Sequence, residues 1–182
     1  GQAGIVTRID LFGSGERTAV AGGLSAMDNA AFDGDNRMFV SSFAEGGIAQ
    51  LAPNGCARQI VPKGFCGPYG VAVRACGTVF VGDNYRLATV VDGEAHTREL
   101  LVHSHGVVAD ERGQVHITAQ HGAVSTYDPN QAELRPRADQ LAQPMGIAVR
   151  GDGLLVVAEA GAGRVVAIDE DDELTVLDLE VE

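Results

Sequence analysis

Basic residues are scarce in this chain. Thirteen Lys and Arg stand against 25 Asp and Glu, for a formal net charge of −12 over 182 residues. Phosphate binding draws on clustered cations, so this balance argues against nucleic acid or an anionic membrane surface as a partner and favours a neutral or cationic small ligand. Long apolar runs are missing as well. No stretch approaches the roughly 18 consecutive apolar residues of a membrane span, and the opening GQAGIVTRID lacks the basic and then apolar layout of a signal peptide. A soluble, cytoplasmic chain is the expectation, with a secreted mature form left open. Tryptophan is absent and aromatics make up 5% of the residues, while glycine numbers 24 and the apolar content reaches 45%, mostly Val, Ile, Leu and Ala. That composition disfavours long helices and predicts short β-strands joined by tight turns around one sizeable core. No Gly-x-Ser-x-Gly occurs, which removes support for serine hydrolase chemistry.

Self-similarity organises what is present. Four segments fall into register: MDNAAFDGDNRMFVSSF from Met27, PYGVAVRACGTVFVGDN from Pro68, SHGVVADERGQVHITAQ from Ser104 and PMGIAVRGDGLLVVAEA from Pro144. Their anchors Asn29, Gly70, Gly106 and Gly146 are spaced by 41, 36 and 40 residues, and a turn residue follows seven positions later in every copy, at Asn36, Gly77, Gly113 and Gly153. Each copy holds three short apolar runs and a fourth after an Asp/Gly turn (Ala57–Val61, Arg98–Val102, Glu133–Arg137, Leu174–Leu179), four antiparallel strands A to D from inside to outside. A period near 40 with four strands marks a propeller blade. The prediction is an all-β chain, a single β-propeller domain over residues 1–182 with blades at 27–67, 68–103, 104–143 and 144–182. Gly4–Leu11 and Arg17–Ala21 match the C and D strands of a partial blade over 1–26. Four and a half blades leave the ring incomplete. The expectation is that an N-terminal propeller segment is missing, or that a homo-oligomer completes the ring.

The three cysteines separate on this frame. Cys56 falls in a C–D turn and Cys76 in an A–B turn, whereas Cys66 lies in the loop entering strand A on the opposite face, farther than the ~6 Å Cα separation a disulfide tolerates. Cys66 is expected to be unpaired, and the odd count leans towards a reducing compartment. AEGG and AGAG read as B–C loops that open no helix, so they offer no phosphate cradle.

Chemistry in a propeller belongs where the D–A and B–C loops meet above the central channel. The D–A loops contribute Asp28, Asn29, Tyr69, His103, His105 and Met145. The ends of the B strands contribute Ser42, Asp83, Asn84, Gln120, His121 and Glu159. Residues at equivalent places differ from blade to blade while the scaffold repeats, which points to this face. Asp28, Asp83 and Glu159, with Asn29 and Asn84, supply the carboxylate and carbonyl oxygens that Ca²⁺ or Mg²⁺ takes in preference to Zn²⁺. His105 and His121 suit Zn²⁺ or proton transfer; His103 and His105 look like a metal pair, but neighbours at i and i+2 point the same way only in an extended segment, and Gly106 follows them.

The pattern PxG[IV]AV, a turn, an apolar strand with a polar end, and RVVAID resembles the NHL repeat and the blades of the SMP-30/gluconolactonase-like superfamily over nearly the entire chain. The resemblance implies a lactonase, a lyase or a plain binding platform. It places a metal on an Asn or Asp before the D–A glycine; only Asp28, before the anchor Asn29, has that chemistry at that place, and Tyr69, His105 and Met145 depart from it. Glu159 is similar to the strand-end glutamate of streptogramin lyase-type propellers. The expected function is a divalent-metal-assisted hydrolase or lyase acting on a small molecule. Asp28, Asp83 and Glu159 would hold the metal, His105 with Asp83 would be catalytic, and Asn29, Tyr69, Asn84, Gln120, His121 and Met145 would bind the ligand. The metal would polarise a carbonyl oxygen while His105 moves a proton. The alternative is a noncatalytic NHL-type propeller that binds a protein or small ligand.

Overall fold

The seven-residue offset from anchor to turn has a backbone cause. Asn36, Gly77, Gly113 and Gly153 all adopt positive φ, at 58°, 86°, 82° and 89°, the conformation that reverses a strand in a tight turn. Each turn is closed in constant register: the amides of Asp33, Arg74, Asp110 and Arg150 donate to the carbonyls of Arg37, Thr78, Gln114 and Leu154, and the amides of Asn36, Gly77, Gly113 and Gly153 donate back to the carbonyls of Asp33, Arg74, Asp110 and Arg150. The computed structural model, which describes residues 3–177, turns these signals into eighteen strands and no helix among the described residues.

β1 (Ala3–Ile9) and β2 (Arg17–Ser25) form a two-stranded sheet. β3 (Met27–Phe32), β4 (Met38–Ser42), β5 (Gly47–Leu51) and β6 (Ala57–Val61) form the first complete one. β7 (Pro68–Val73), β8 (Val79–Asp83), β9 (Arg86–Val91) and β10 (Glu94–Leu100) form the second. β11 (Ser104–Ala109), β12 (Val115–Ala119), β13 (Ala123–Asp128) and β14 (Glu133–Ala138) form the third. β15 (Pro144–Val149), β16 (Leu155–Glu159), β17 (Arg164–Ile168) and β18 (Leu174–Leu177) form the fourth. Within each complete sheet the strands pair in sequence order and antiparallel. The first strands neighbour one another, β3 against β7, β7 against β11 and β11 against β15. This is the all-β propeller arrangement with an unclosed ring.

Apolar cores lie between sheets. Phe39, Ile48 and Val61 of the first sheet pack with Val71, Val79, Val81 and Ala88 of the second, and Phe80 and Leu87 pack with Val107, Val115, Ile117 and Tyr127 of the third. Adjacent blades approach so closely at the anchors that only glycine fits at two of them. A Cβ on Gly70 would lie 2.6 Å from the carbonyl oxygen of His105, and one on Gly106 would meet the carbonyl oxygen of Met145. The A–B pairing slips register at every anchor, between Met27 and Ala30, Pro68 and Gly70, Ser104 and Val107, and Pro144 and Ile147. Two buried hydroxyls repair the ladder there. Ser41 Oγ accepts from Asn29 N (3.1 Å) and donates to Tyr69 O (2.8 Å). Thr118 Oγ1 accepts from Gly106 N (2.8 Å) and donates to Met145 O (2.7 Å). Each hydroxyl thus joins a slipped anchor to the next blade.

Three strands depart from the sequence reading by two residues or more. The fourth strand of the second sheet spans Glu94–Leu100 instead of Arg98–Val102, because Asp92 and Gly93, at φ 51° and 81°, make a tight two-residue hairpin turn. β1 stops at Ile9, short of Leu11, because the Asp10 carboxylate accepts from the amides of Phe12 and Ser14 and folds the loop. β2 runs on to Ser25, beyond the expected Ala21. The outermost strand of the fourth sheet is described to Leu177, and the final part of its expected span to Leu179 lies outside the described residues. Cys56, Cys66 and Cys76 are all exposed and free.

Candidate functional site

The strand-end acids turn out to be loop pins. Asp83 is 3% exposed; its Oδ1 accepts from the Cys66 amide and its Oδ2 from Arg86 Nε, both at 2.7 Å. Arg86 in turn donates to the carbonyl of Gly64 (2.9 Å) and lies 5.6 Å from the Phe65 ring centre. Glu159 is 2% exposed and repeats the arrangement, with Oε1 on the Ala142 amide (2.6 Å) and Oε2 on Arg164 Nε (2.5 Å). Arg164 and the Ala142 amide hold the Glu159 carboxyl below its ordinary range, against the effect of burial. Ser42, at the same place in the first sheet, donates to the Ser25 carbonyl at 2.7 Å. Acceptor or donor, each of the three holds the residue 17 positions earlier, at the end of β2 for Ser25 and in the D–A loop for Cys66 and Ala142. Variation in residue type at this position therefore has a structural cause, and Asp83 and Glu159 each have both oxygens engaged.

The residues before the anchors behave differently. Tyr69 and His105 stack with ring centres 5.0 Å apart and 25° between planes, and Phe43 extends the stack at 4.7 Å from Tyr69. Phe43 is 43% exposed, while Tyr69 and His105 are half-buried. A run of three rings thus crosses blades one to three along the channel mouth. Asp28 is exposed beside it. Shielding of its carboxyl from water pushes its acid above the ordinary range, and nearby His105 pulls the other way. Met145, half-buried, holds the equivalent place in the fourth sheet. A second pair flanks the run, with Tyr85 and His103 5.2 Å apart, edge to face.

His103 takes φ 49° and packs on Tyr85, whereas His105 packs on Tyr69. The two imidazoles therefore have different partners. Asn84, at φ 45°, occupies the two-residue turn before β9, and its carbonyl accepts from Ser104 N at 3.0 Å. Gln120 is half-buried with its amide on the His103 carbonyl (3.0 Å), and His121 is exposed. Asn29 lines a central cavity of about 330 Å³ together with Val71, Gly106 and Ile147. Among the described residues no three His, Cys, Asp or Glu side chains come together as a metal site would require. The donor set expected for a divalent cation is thus not assembled there, since Asp83 and Glu159 are occupied as pins.

Phe43 and Tyr85 do not stand out in the sequence, where only the polar strand ends signal chemistry, although each directly follows one of those ends. Nor does His116 stand out. It is 2% exposed, 2.8 Å from Thr126 Oγ1 through Nδ1 and 3.3 Å from Asp110 through Nε2. Thr126 also accepts from Arg137, which binds Asp172 and the Asp169 carbonyl of the next blade. One polar network therefore ties blades three and four.

No family model matches the chain, and no curated protein matches it. Solved structures do. A chain of a nidogen–laminin complex superposes with a TM-score of 0.87 at 22% identity, over 97% of this chain and 76% of that one. Virginiamycin B lyase from Staphylococcus aureus gives 0.78 at 16% identity, over 97% of this chain and 64% of that one. A streptogramin B lyase gives 0.80 at 16%, over 97% and 62%. The chain thus spans less than two thirds of either lyase, and likeness at this identity shows the fold alone, which is that of a β-propeller.

Proposed function

We propose that this is a noncatalytic binding propeller whose channel-mouth face, built around Phe43, Tyr69 and His105, recognises a protein partner. The carrying observation is the three-ring stack. In a chain with six Phe, three Tyr and no Trp, Phe43, Tyr69 and Tyr85 all fall on this one face. Partly exposed aromatic clusters flanked by polar groups are what protein interfaces use as anchors. The likeness to a chain of a nidogen–laminin complex supports the reading, as that structure is an assembly of proteins. A quantitative interaction screen with the wild type and the Phe43→Ala/Tyr69→Ala double variant tests it. Partners retained by the first and lost by the second are expected; equal retention refutes the face.

One observation favours a second reading, a hydrolase or lyase. Asp28 with its raised carboxyl sits near His105, an acid and an imidazole at one channel mouth, and two of the structural neighbours are lyases by name. A panel of lactones and cyclic depsipeptides, assayed with Ca²⁺, Mg²⁺ or EDTA, decides between the two. Turnover abolished by His105→Ala would establish the enzyme.

A further inference from the structure

The half-sheet β1–β2 presents an edge that the rest of the molecule explains. In the complete sheets the third strands β5, β9, β13 and β17 are paired on both sides, whereas β1 pairs with β2 alone among the described residues. Its place as a third strand is set by contact. The Val20 carbonyl of β2 lies against Gly55 of the next sheet, as the Ile60 carbonyl of β6 lies against Gly93 of the following one at 3.4 Å from a Cβ position. Between the half-sheet and the first complete sheet there is a cavity of about 510 Å³ lined by Val6, Arg8, Val20, Phe32, Met38 and Leu51. The core beneath it is thin. Three buried residues, Val40, Ala49 and Leu51, face the half-sheet, against eight in the cluster joining the first and second sheets and seven in the next. Phe32 is 61% exposed and Ile5 66%.

We infer that this edge and cavity form a docking site for a two-stranded hairpin of the chain's own A–B type. Its second strand adds antiparallel to β1, and its alternate apolar side chains fill the cavity over Phe32 and Met38. The fold contains the occupant's pattern four times over. β3–β4, β7–β8, β11–β12 and β15–β16 are such hairpins, and each pairs its second strand with the edge that β1 leaves free. Main-chain bonds along an open edge supply affinity, and the cavity supplies side-chain specificity. A long exposed apolar edge is otherwise a site of uncontrolled pairing.

The test uses the full chain and a synthetic hairpin of residues 144–160, with a scrambled peptide as control. Hydrogen exchange followed by mass spectrometry is expected to slow about ten-fold at Ala3–Ile9 on saturation, with no effect of the scrambled sequence. Phe32→Asp places a charge on a residue already exposed, so the variant keeps its fold, checked by circular dichroism, and loses the protection. Protection absent at β1, falling on β15–β18 instead, or surviving Phe32→Asp overturns the proposal. So does a dimer in native mass spectrometry with β1 already protected in the absence of peptide, which would give the edge to a second copy.

Discussion

Replacing Thr118 by valine removes one hydroxyl and almost no volume. In the folded chain that hydroxyl is fully buried, accepts from the Gly106 amide at 2.8 Å and donates to the Met145 carbonyl at 2.7 Å. Valine leaves both groups without a partner, and no cavity opens for water to enter. A buried donor or acceptor deprived of its partner costs about 1–3 kcal/mol. The Gly106 amide is deeply enclosed and takes the full penalty, whereas the Met145 carbonyl belongs to a half-buried residue and takes part of it. The expected loss is about 2–4 kcal/mol, equivalent to a fall in Tm of roughly 4–16 °C for a chain of this size. Thr118→Ser keeps the hydroxyl and forfeits a methyl group, so it should cost only about 0.8 kcal/mol. An internal control lies at Ala158, the same position in the fourth sheet, which is exposed and clear of any following blade in the described structure. Ala158→Ser should shift stability by no more than about 0.5 kcal/mol. Urea unfolding of the three variants, with exchange protection read at β11 and β15, measures the effect. A Thr118→Val variant within about 0.5 kcal/mol of wild type would refute the idea that the hydroxyl joins the blades.

The remaining predictions concern charge. Burial holds the His116 imidazole below its ordinary value of 6.5 despite Asp110, with Arg137 and Arg135 adding to the depression. Its neutral form therefore stabilises the fold above pH 6.5, and that contribution is lost as pH falls below this value and through the folded one. Urea midpoints at pH 7.5 and 5.5 should differ in wild type and converge in His116→Gln; equal wild-type midpoints would sink the argument. Glu159→Gln should cost about 1.5 kcal/mol, the low end for a charged hydrogen bond, because Arg164 remains 43% exposed and solvated. The lowered Glu159 carboxyl contributes above its ordinary value of 4.5 and ceases to as pH falls below that, so the variant should also flatten the acid limb of the stability profile. Calcium, magnesium or EDTA should leave the thermal midpoint unchanged. A rise equivalent to about 2.7 kcal/mol at a hundred-fold excess over Kd would instead reveal a bound metal.

Local rules determined much of this protein from the sequence alone. The turn residues at Asn36, Gly77, Gly113 and Gly153 need positive φ, and alternating apolar residues need a buried face, so a four-fold repeat of four strands could be counted without coordinates. The half-sheet was legible for the same reason, since β1 and β2 carry the pattern of third and fourth strands. The tertiary structure decided what the polar residues do. Asp83 and Glu159 read as free carboxylates in a list of strand ends, but their partners, the amides of Cys66 and Ala142, lie 17 residues earlier on another loop. Asp92-Gly93 also reset the fourth strand of the second sheet by turning sooner than its neighbours. The aromatic run of Phe43, Tyr69 and His105 draws on three different blades. Periodicity records which way a side chain points along its own strand; which group it meets depends on how the strands of separate blades converge, and that is set by packing across the whole molecule.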